Sequence, residues 1–183
     1  MTILEAQRDV RRAFRNGVVG AGVSAALWLV SAACATALGP RAGVLVLVFG
    51  GMLIFPTTLL LLRLLGGPAG LPGGHPMNEL GTQVALVMPL CMPVAGAAAL
   101  FRLEWFYPAF MVLVGAHYLP FVFLYGMREF VVLALALVFG GVSLAMLGPG
   151  GFAIGGWATG GALLLFGVFV AATRGVGNRP EAA

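Results

Sequence analysis

Six long apolar runs constrain this chain more strongly than any other feature of its sequence. Each run has about 20 residues, the length of an α-helix that crosses the hydrocarbon core of a lipid bilayer. The chain is 61% hydrophobic and only 9% charged, whereas soluble domains carry roughly 25% charged residues. We therefore predict an all-α, polytopic membrane protein whose main surroundings are a lipid bilayer.

Charges and Gly/Pro-rich breaks set the limits of the six predicted transmembrane helices. These spans are 17–38, 43–65, 80–101, 105–126, 129–147 and 151–172. Four of the connections are very short, which requires neighbouring helices to be antiparallel, so the spans should form three consecutive hairpins. The connection over 66–78 is longer. A helix over 1–16 precedes the predicted bundle, and a short tail over 173–183 follows it.

The distribution of arginine predicts the orientation of the spans. All ten basic residues are arginines, and if the N-terminus is inside, only Arg41 and Arg102 fall on the outer side. The remaining eight fall on the inner side. Because loops rich in Arg and Lys stay in the cytoplasm, we expect both termini to be cytoplasmic.

Residues 1–16 have the pattern of an amphipathic helix. Thr2 and Glu5 have the spacing of a capping box, which starts a helix. One face is apolar and contains Ile3, Ala6, Val10 and Phe14. Much of the rest is basic and contains Arg8, Arg11, Arg12 and Arg15. We predict that this helix lies at the interface of the anionic cytoplasmic leaflet; the alternative is a docking arm for a protein partner.

Four prolines fall well inside the predicted spans. They are Pro56 in the second span, Pro89 and Pro93 in the third, and Pro120 in the fourth. Proline removes a backbone donor and clashes with the preceding turn, so we predict a helix kink at each. Such kinks can simply shape helix packing. They can also build a binding site at the midplane, as in many transporters.

The polar side chains of the same three spans define a candidate ligand or proton pathway. They are Thr57, Thr58, Gln83, Cys91, His117 and Tyr118. We expect Cys91 and His117 at similar depth near the midplane. An ionisable group within a span marks a candidate site, and histidine changes charge near physiological pH. His117 is therefore predicted to relay protons or contact a ligand. The alternative is a neutral His117 that donates to a carbonyl of a neighbouring helix, with Thr57 or Thr58 as possible partners.

Glu79 is the candidate at the inner end of the third span. Asn78 before it has the character of a helix cap, and a carboxylate in the first turn interacts favourably with the helix dipole. Glu79 can alternatively be a cytoplasmic gate or proton acceptor, together with Gln83 one turn deeper and His75 in the preceding loop.

Aromatic residues suggest two further features. Tyr118 and Tyr125 are seven residues apart and should share a helix face, where both could line one cavity, although Tyr125 could equally anchor the inner interface. The motif "EWFYP" at 104–108 falls at the outer end of the fourth span, where aromatic belts occur.

Several function classes lack support in the sequence. Cys34 and Cys91 lie at different predicted depths, so we expect no disulfide and interpret both as small apolar residues. No metal-ligand spacing, catalytic set or phosphate-binding loop is evident, and no basic patch with interleaved aromatics indicates nucleic-acid binding. We therefore expect no bound metal, no cofactor and no enzymatic activity.

The sixth span contains two Gly-x-x-x-Gly pairs. They are formed by Gly151 with Gly155 and by Gly156 with Gly160. Small residues at this spacing let membrane helices approach closely. They can pack within the bundle or form a homo-oligomer with a second copy.

Four stretches resemble a family of small bacterial six-span membrane proteins with a domain of unknown function. They are "GGMLIFP" at 50–56, "MNELG" at 77–81, "EWFYP" at 104–108 and "GAHYLPFVFLYG" at 115–126. The last is the most specific, because apolar helices rarely contain Ala-His-Tyr-Leu-Pro. The resemblance implies a six-span bacterial fold, and hence the inner membrane, but no activity.

From these features we expect a small transporter or channel-like protein with a polar site around His117. The alternative is a non-transporting structural or accessory membrane protein that binds a partner through its helices.

Overall fold

Eight α-helices are found in the computed structural model, which describes residues 1–68, 70–148 and 150–175. They are α1 (Ile3–Ala13), α2 (Val18–Leu38), α3 (Pro40–Gly51), α4 (Ile54–Leu64), α5 (Met77–Phe101), α6 (Phe106–Tyr125), α7 (Glu129–Leu147) and α8 (Ile154–Arg174). No strand occurs in these described ranges, which confirms the all-α prediction. Most of the predicted tail over 173–183 lies outside them.

Five helices are long and apolar enough to cross a membrane, and α3 with α4 makes a sixth if the two count as one bent span. The two halves of that pair meet at 56°, at residues 52–53. Pro56 lies in the first turn of α4 and has no N–H to offer the carbonyl group of Met52, four residues earlier. The bend therefore lies where the donor is missing. Helices α5 and α6 continue through the other three prolines, Pro89, Pro93 and Pro120.

The first helix forms as predicted but packs differently. Its capping box is present, with the Thr2 hydroxyl accepting from the Glu5 N–H at 3.3 Å and the Glu5 carboxylate accepting from the Thr2 N–H at 2.6 Å. Its small apolar face, formed by Ala6, Val10 and Ala13, is buried, and α1 packs against α6. The bundle therefore covers part of the predicted apolar face, whereas Ile3 of that face and the neighbouring Leu4 stay exposed.

The start of α5 also differs from the prediction. The helix begins at Met77, and the Met77 N–H donates to His75 Nδ1 at 3.2 Å. Asn78 does not cap the helix, because its side chain donates to the Pro72 carbonyl at 2.9 Å and so stabilises the preceding loop. Glu79 lies in the first turn, as expected.

Helices α2 and α6 each organise one part of the bundle. Helices α3, α4 and α8 pack on α2, whereas α1, α5 and α7 pack on α6. Among helices consecutive in the chain, α6 packs most extensively with α7, followed by α2 with α3 and α5 with α6. The third predicted hairpin, α7 with α8, is less extensive, because α8 packs mainly on α2. Gly160 explains this preference, since its missing side chain leaves room for Leu29 of α2.

Helices α4 and α5 are attached to different helices of the bundle. Helix α4 is held by α2, and α5 is held by α6, but α4 and α5 make at most marginal contact with each other. We call this region, between α4 and α5, the open side. Of the five single-helix spans, α5 is the least buried.

Candidate functional site

His117 lies near the middle of α6 with a half-buried ring. The ring meets Phe121 edge-on, with centroids 5.1 Å apart, and Tyr118 in the same way at 5.9 Å. Its Nδ1 atom is fully buried and has no hydrogen-bond partner among the described residues. A buried nitrogen without a partner is costly in an apolar interior.

The rotation of α6 indicates which way His117 points. Phe110 is seven residues earlier and meets Trp28 of α2, with ring centroids 5.5 Å apart. Seven residues are close to two helical turns, so His117 lies within about 20° of Phe110 around the helix axis. Gly115 instead faces α7, where an added Cβ would lie 2.8 Å from the Ala134 carbonyl oxygen. His117 therefore faces toward α2, next to the open side.

His117 and the bend of the second span lie at similar depth. His117 is about 12 residues from the outer end of α6, and residues 52–53 are about 13 residues from the outer end of α3. Both distances correspond to about 18–20 Å along a helix. The irregular backbone and the ionisable side chain thus occur in the same middle layer of the bundle.

The threonines proposed as partners of His117 are engaged elsewhere. Thr58 donates to the Ile54 carbonyl of its own helix at 2.7 Å, and its methyl group faces Gly20 of α2. Thr57 is exposed on α4. Neither donates to His117.

The remaining predicted pathway residues separate into two groups. Glu79 and Gln83 are exposed on α5. Cys91 is half-buried and shares a face of α5 with the buried Val84 and Ala95. Cys34 and Cys91 are free thiols. The fold thus brings Tyr118 next to His117 and leaves Glu79, Gln83 and Thr57 on the surface.

Tyr118 and Tyr125 share a face, as predicted, but they lie in a packed aromatic cluster. Both stack near Phe130 of α7, at 5.9 and 5.2 Å, and Phe130 meets Phe166 of α8 at 4.9 Å. Tyr125 is only 5% exposed, so it is not an interface anchor. This cluster fills the space between α6, α7 and α8 on the inner side of His117.

A second polar centre, which the sequence did not indicate, joins α2, α3 and α6. The Ser31 hydroxyl donates to the Gly43 carbonyl at 2.8 Å and meets the Tyr107 hydroxyl at 2.6 Å. Tyr107 is fully buried. The expectation that the whole "EWFYP" motif forms an outer aromatic belt is therefore wrong from Phe106 onward. Ser31, one of two serines in the first span, and the small Gly43 across the short turn were the available signals.

The glycines of α8 shape this centre. An added Cβ would lie 2.7 Å from Tyr107 at Gly155 and 2.9 Å from the Tyr107 ring at Gly156. With Gly160 against α2, three of the four predicted contact glycines pack inside the bundle. Gly151 is exposed.

Charged groups gather at the two ends of the bundle. At the end of the bundle near Asn16 and Gly175, Arg174 of α8 pairs with Glu129 of α7, with the Arg174 Nε atom 2.6 Å from the carboxylate. At the opposite end, Arg102 and Glu104 are 3.8 Å apart and border a pocket of about 400 Å³ that also includes Pro40, Gly151 and Phe152. In the described part of the chain, no three His, Cys, Asp or Glu side chains are grouped to hold a metal ion.

The comparisons with known proteins give this chain a family but no activity. No curated protein and no solved structure matches this chain. A family model described as a family of unknown function, DUF7010, matches residues 3–173. That range covers most of the chain, His117 included, so this chain belongs to the DUF7010 family.

Proposed function

We propose that this chain is a small transporter or channel-like membrane protein that handles a proton or a small polar solute at His117. The observation that carries the proposal is the shared depth of the bent second span and the unpartnered Nδ1 atom of His117. Broken helices and polar groups at one level are the elements from which many transporters build a midplane site.

The open side supplies the route in this proposal. In this proposal a proton or solute reaches His117 between α4 and α5, which make at most marginal contact with each other. Cys91 of α5 lies at the same level on the face toward α6. A ligand at His117 would therefore be bordered by α2, α5 and α6.

We further propose the inner membrane of a bacterium, with both termini in the cytoplasm. Asn16 before α2 donates to the carbonyl of Gly175 after α8 at 3.1 Å, so both ends of the described chain meet at one end of the bundle. That end also has Arg63, Arg128 and Arg174, as the positive-inside rule favours for the cytoplasmic side.

The alternative is a non-transporting accessory protein. The aromatic cluster around Phe130 favours it, because five packed rings leave little room for water between α6, α7 and α8. In that case His117 would only stabilise the bundle.

Flux measurements on the purified protein distinguish these functions. Liposomes with an entrapped pH-sensitive dye and a valinomycin-clamped potassium potential report proton flux, and osmotic swelling reports small polar solutes. We expect the wild type to exceed empty liposomes in one assay and His117→Leu to fall to the empty level. His117→Gln should lose proton flux but retain solute flux, because Gln hydrogen-bonds without titrating. Leu119→Ala, on the exposed side of the same helix, is the control.

Equal rates for the wild type, His117→Leu and empty liposomes in both assays would contradict the transport proposal and favour the accessory function.

A further inference from the structure

Residues 1–17, which we call the N-terminal clasp, hydrogen-bond to the ends of α6 and α4. Gln7 Nε2 donates to the Phe123 carbonyl at 2.6 Å, and Arg11 donates to the Tyr125 carbonyl, both at the end of α6. Arg15 donates to the Leu65 carbonyl after α4. These are among the last carbonyls of each helix, which lack a donor within the helix itself.

The clasp also bridges the open side. Arg15 holds the end of α4, and Asp9 lies 3.6 Å from His75 Nε2 in the loop before α5. Helices α4 and α5 make at most marginal contact with each other. The clasp thus hydrogen-bonds to the end of α4 and brings Asp9 close to, but not within hydrogen-bond distance of, the loop before α5.

The link between the clasp and α2 has the character of a hinge. Arg15 and Asn16 have φ values of 49° and 57°, and Gly17 follows at 79°. The left-handed conformation is unfavourable for residues with a Cβ, so it persists only where other contacts hold it. Here those contacts are the hydrogen bonds of the Arg15 and Asn16 side chains to the ends of α4 and α8.

The clasp is attached by few apolar side chains. Only Ala6, Val10 and Ala13 of α1 are buried hydrophobic residues, and two of these are alanines. Ile3 and Leu4 are exposed. Its attachment thus depends strongly on the hydrogen bonds to helix ends, which water can replace when the clasp lifts.

We propose that the N-terminal clasp is a releasable gate over the inner end of the open side and controls access from the cytoplasm to His117. This inference rests on the proposed function, because a gate is useful only if His117 receives a proton or solute. Tyr125, where Arg11 holds α6, is about 12 Å along the helix from His117. Lifting the clasp removes the bridge between α4 and α5 and exposes the path along α6.

Thiol labelling at position 117 tests the gate without any transport assay. The protein carries Cys34→Ala, Cys91→Ala and His117→Cys in vesicles with the inner end outward, and a membrane-impermeant maleimide reacts with the introduced thiol. The release variant is Arg11→Ala/Arg15→Ala. The matched control is Arg8→Ala/Arg12→Ala, which removes the same charge from exposed positions of the same helix.

We expect labelling of the release variant to be at least 10-fold faster, and labelling of the control to be unchanged. Gln7→Ala, which removes a single donor, should give a smaller increase in the labelling rate. It replaces the double variant if that variant unfolds below the assay temperature. Equal labelling rates in all variants that stay folded would overturn the gate. Because labelling reports access alone, faster labelling without any flux would contradict the transport proposal and leave the gate standing.

Discussion

Ser31 of α2 and Tyr107 of α6 meet through their hydroxyl groups at 2.6 Å, in a region where both side chains are fully buried. The Ser31 proton is donated to the Gly43 carbonyl, so the Tyr107 hydroxyl must donate to Ser31. One chain of hydrogen bonds thus connects three helices. In an apolar environment every polar group in such a series of hydrogen bonds needs its partner. Substituting Ser31 or Tyr107 therefore tests how the three helices pack.

The Ser31–Tyr107 contact should show energetic coupling. Hydrogen bonds between membrane helices contribute about 0.6 kcal/mol on average and about 1.7 kcal/mol at most. We expect the cycle of Ser31→Ala, Tyr107→Phe and the double variant to give a coupling in this range, measured by reversible unfolding in mixed micelles. Ser143→Ala, at an exposed serine of α7, should be neutral. Strictly additive effects would mean that the two hydroxyls do not interact.

Gly156 and Gly161 of α8 provide a matched pair of positions at which to test close packing. An added Cβ at Gly156 would lie 2.9 Å from the Tyr107 ring and 3.0 Å from Ala32, whereas at Gly161 it meets nothing within 4 Å. Overpacking a well-packed interior costs about 1–3 kcal/mol. Gly156→Ala should therefore lower the free energy of unfolding by about that amount, and Gly161→Ala should change it by less than about 0.5 kcal/mol. Equal effects of the two substitutions would contradict the close packing of Gly156 against Tyr107 and Ala32.

Cys91 and the position of His117 should be close enough to crosslink. Counted from the turn between α5 and α6, Cys91 and His117 are a similar number of residues away, and we predict that they lie at one level where the two helices pack together. In a Cys34→Ala background, the thiol introduced by His117→Cys should join Cys91 through a short bifunctional reagent, visible as a mobility shift after proteolysis between the helices. The thiol from Leu119→Cys faces outward and should react far less. Comparable yields at both positions would contradict this helix register.

Reporter fusions test the proposed orientation. Fusions after Arg63 and Arg128 should show cytoplasmic activity, and fusions after Arg41 and Arg102 should show periplasmic activity, because arginine-rich ends remain inside. Alkaline phosphatase and a fluorescent protein give opposite signals at each site. The inverse pattern would contradict the proposed orientation. It would put the clasp on the periplasmic side and the pocket beside Arg102 and Glu104 on the cytoplasmic side.

The capping box predicts how the start of the clasp responds to acid. The hydrogen bond from the Thr2 N–H lowers the pKa of Glu5 below its usual value near 4.5. A lowered carboxyl pKa contributes stability above the usual value, and this contribution is lost as pH falls through the lowered pKa. Hydrogen exchange of residues 3–6, corrected for intrinsic rates, should therefore increase below about pH 4.5. Glu5→Gln should abolish this dependence; if it persists, another group is responsible.

Much of the architecture follows from the sequence because it depends on local chemistry. Runs of about 20 apolar residues can satisfy their backbone groups in a bilayer only as helices, and short connections require antiparallel neighbours. The capping box of Thr2 and Glu5 and the bend near Pro56 also depend on groups within one helical turn. Each could therefore be predicted without knowledge of the other helices.

Only the tertiary structure decided which side chains meet. Tyr107 looked like an interface residue because its neighbours in sequence are Trp and Phe, but three glycines on α3 and α8 leave a space that its ring fills. Residues 1–16 looked like a surface helix because amphipathicity shows that a face is buried, not what covers it. His117 stood out in the sequence, whereas its missing partner and its place beside the open side depend on contacts between distant helices. Such contacts arise from the complementary shapes of several helices at once, and no local pattern encodes them.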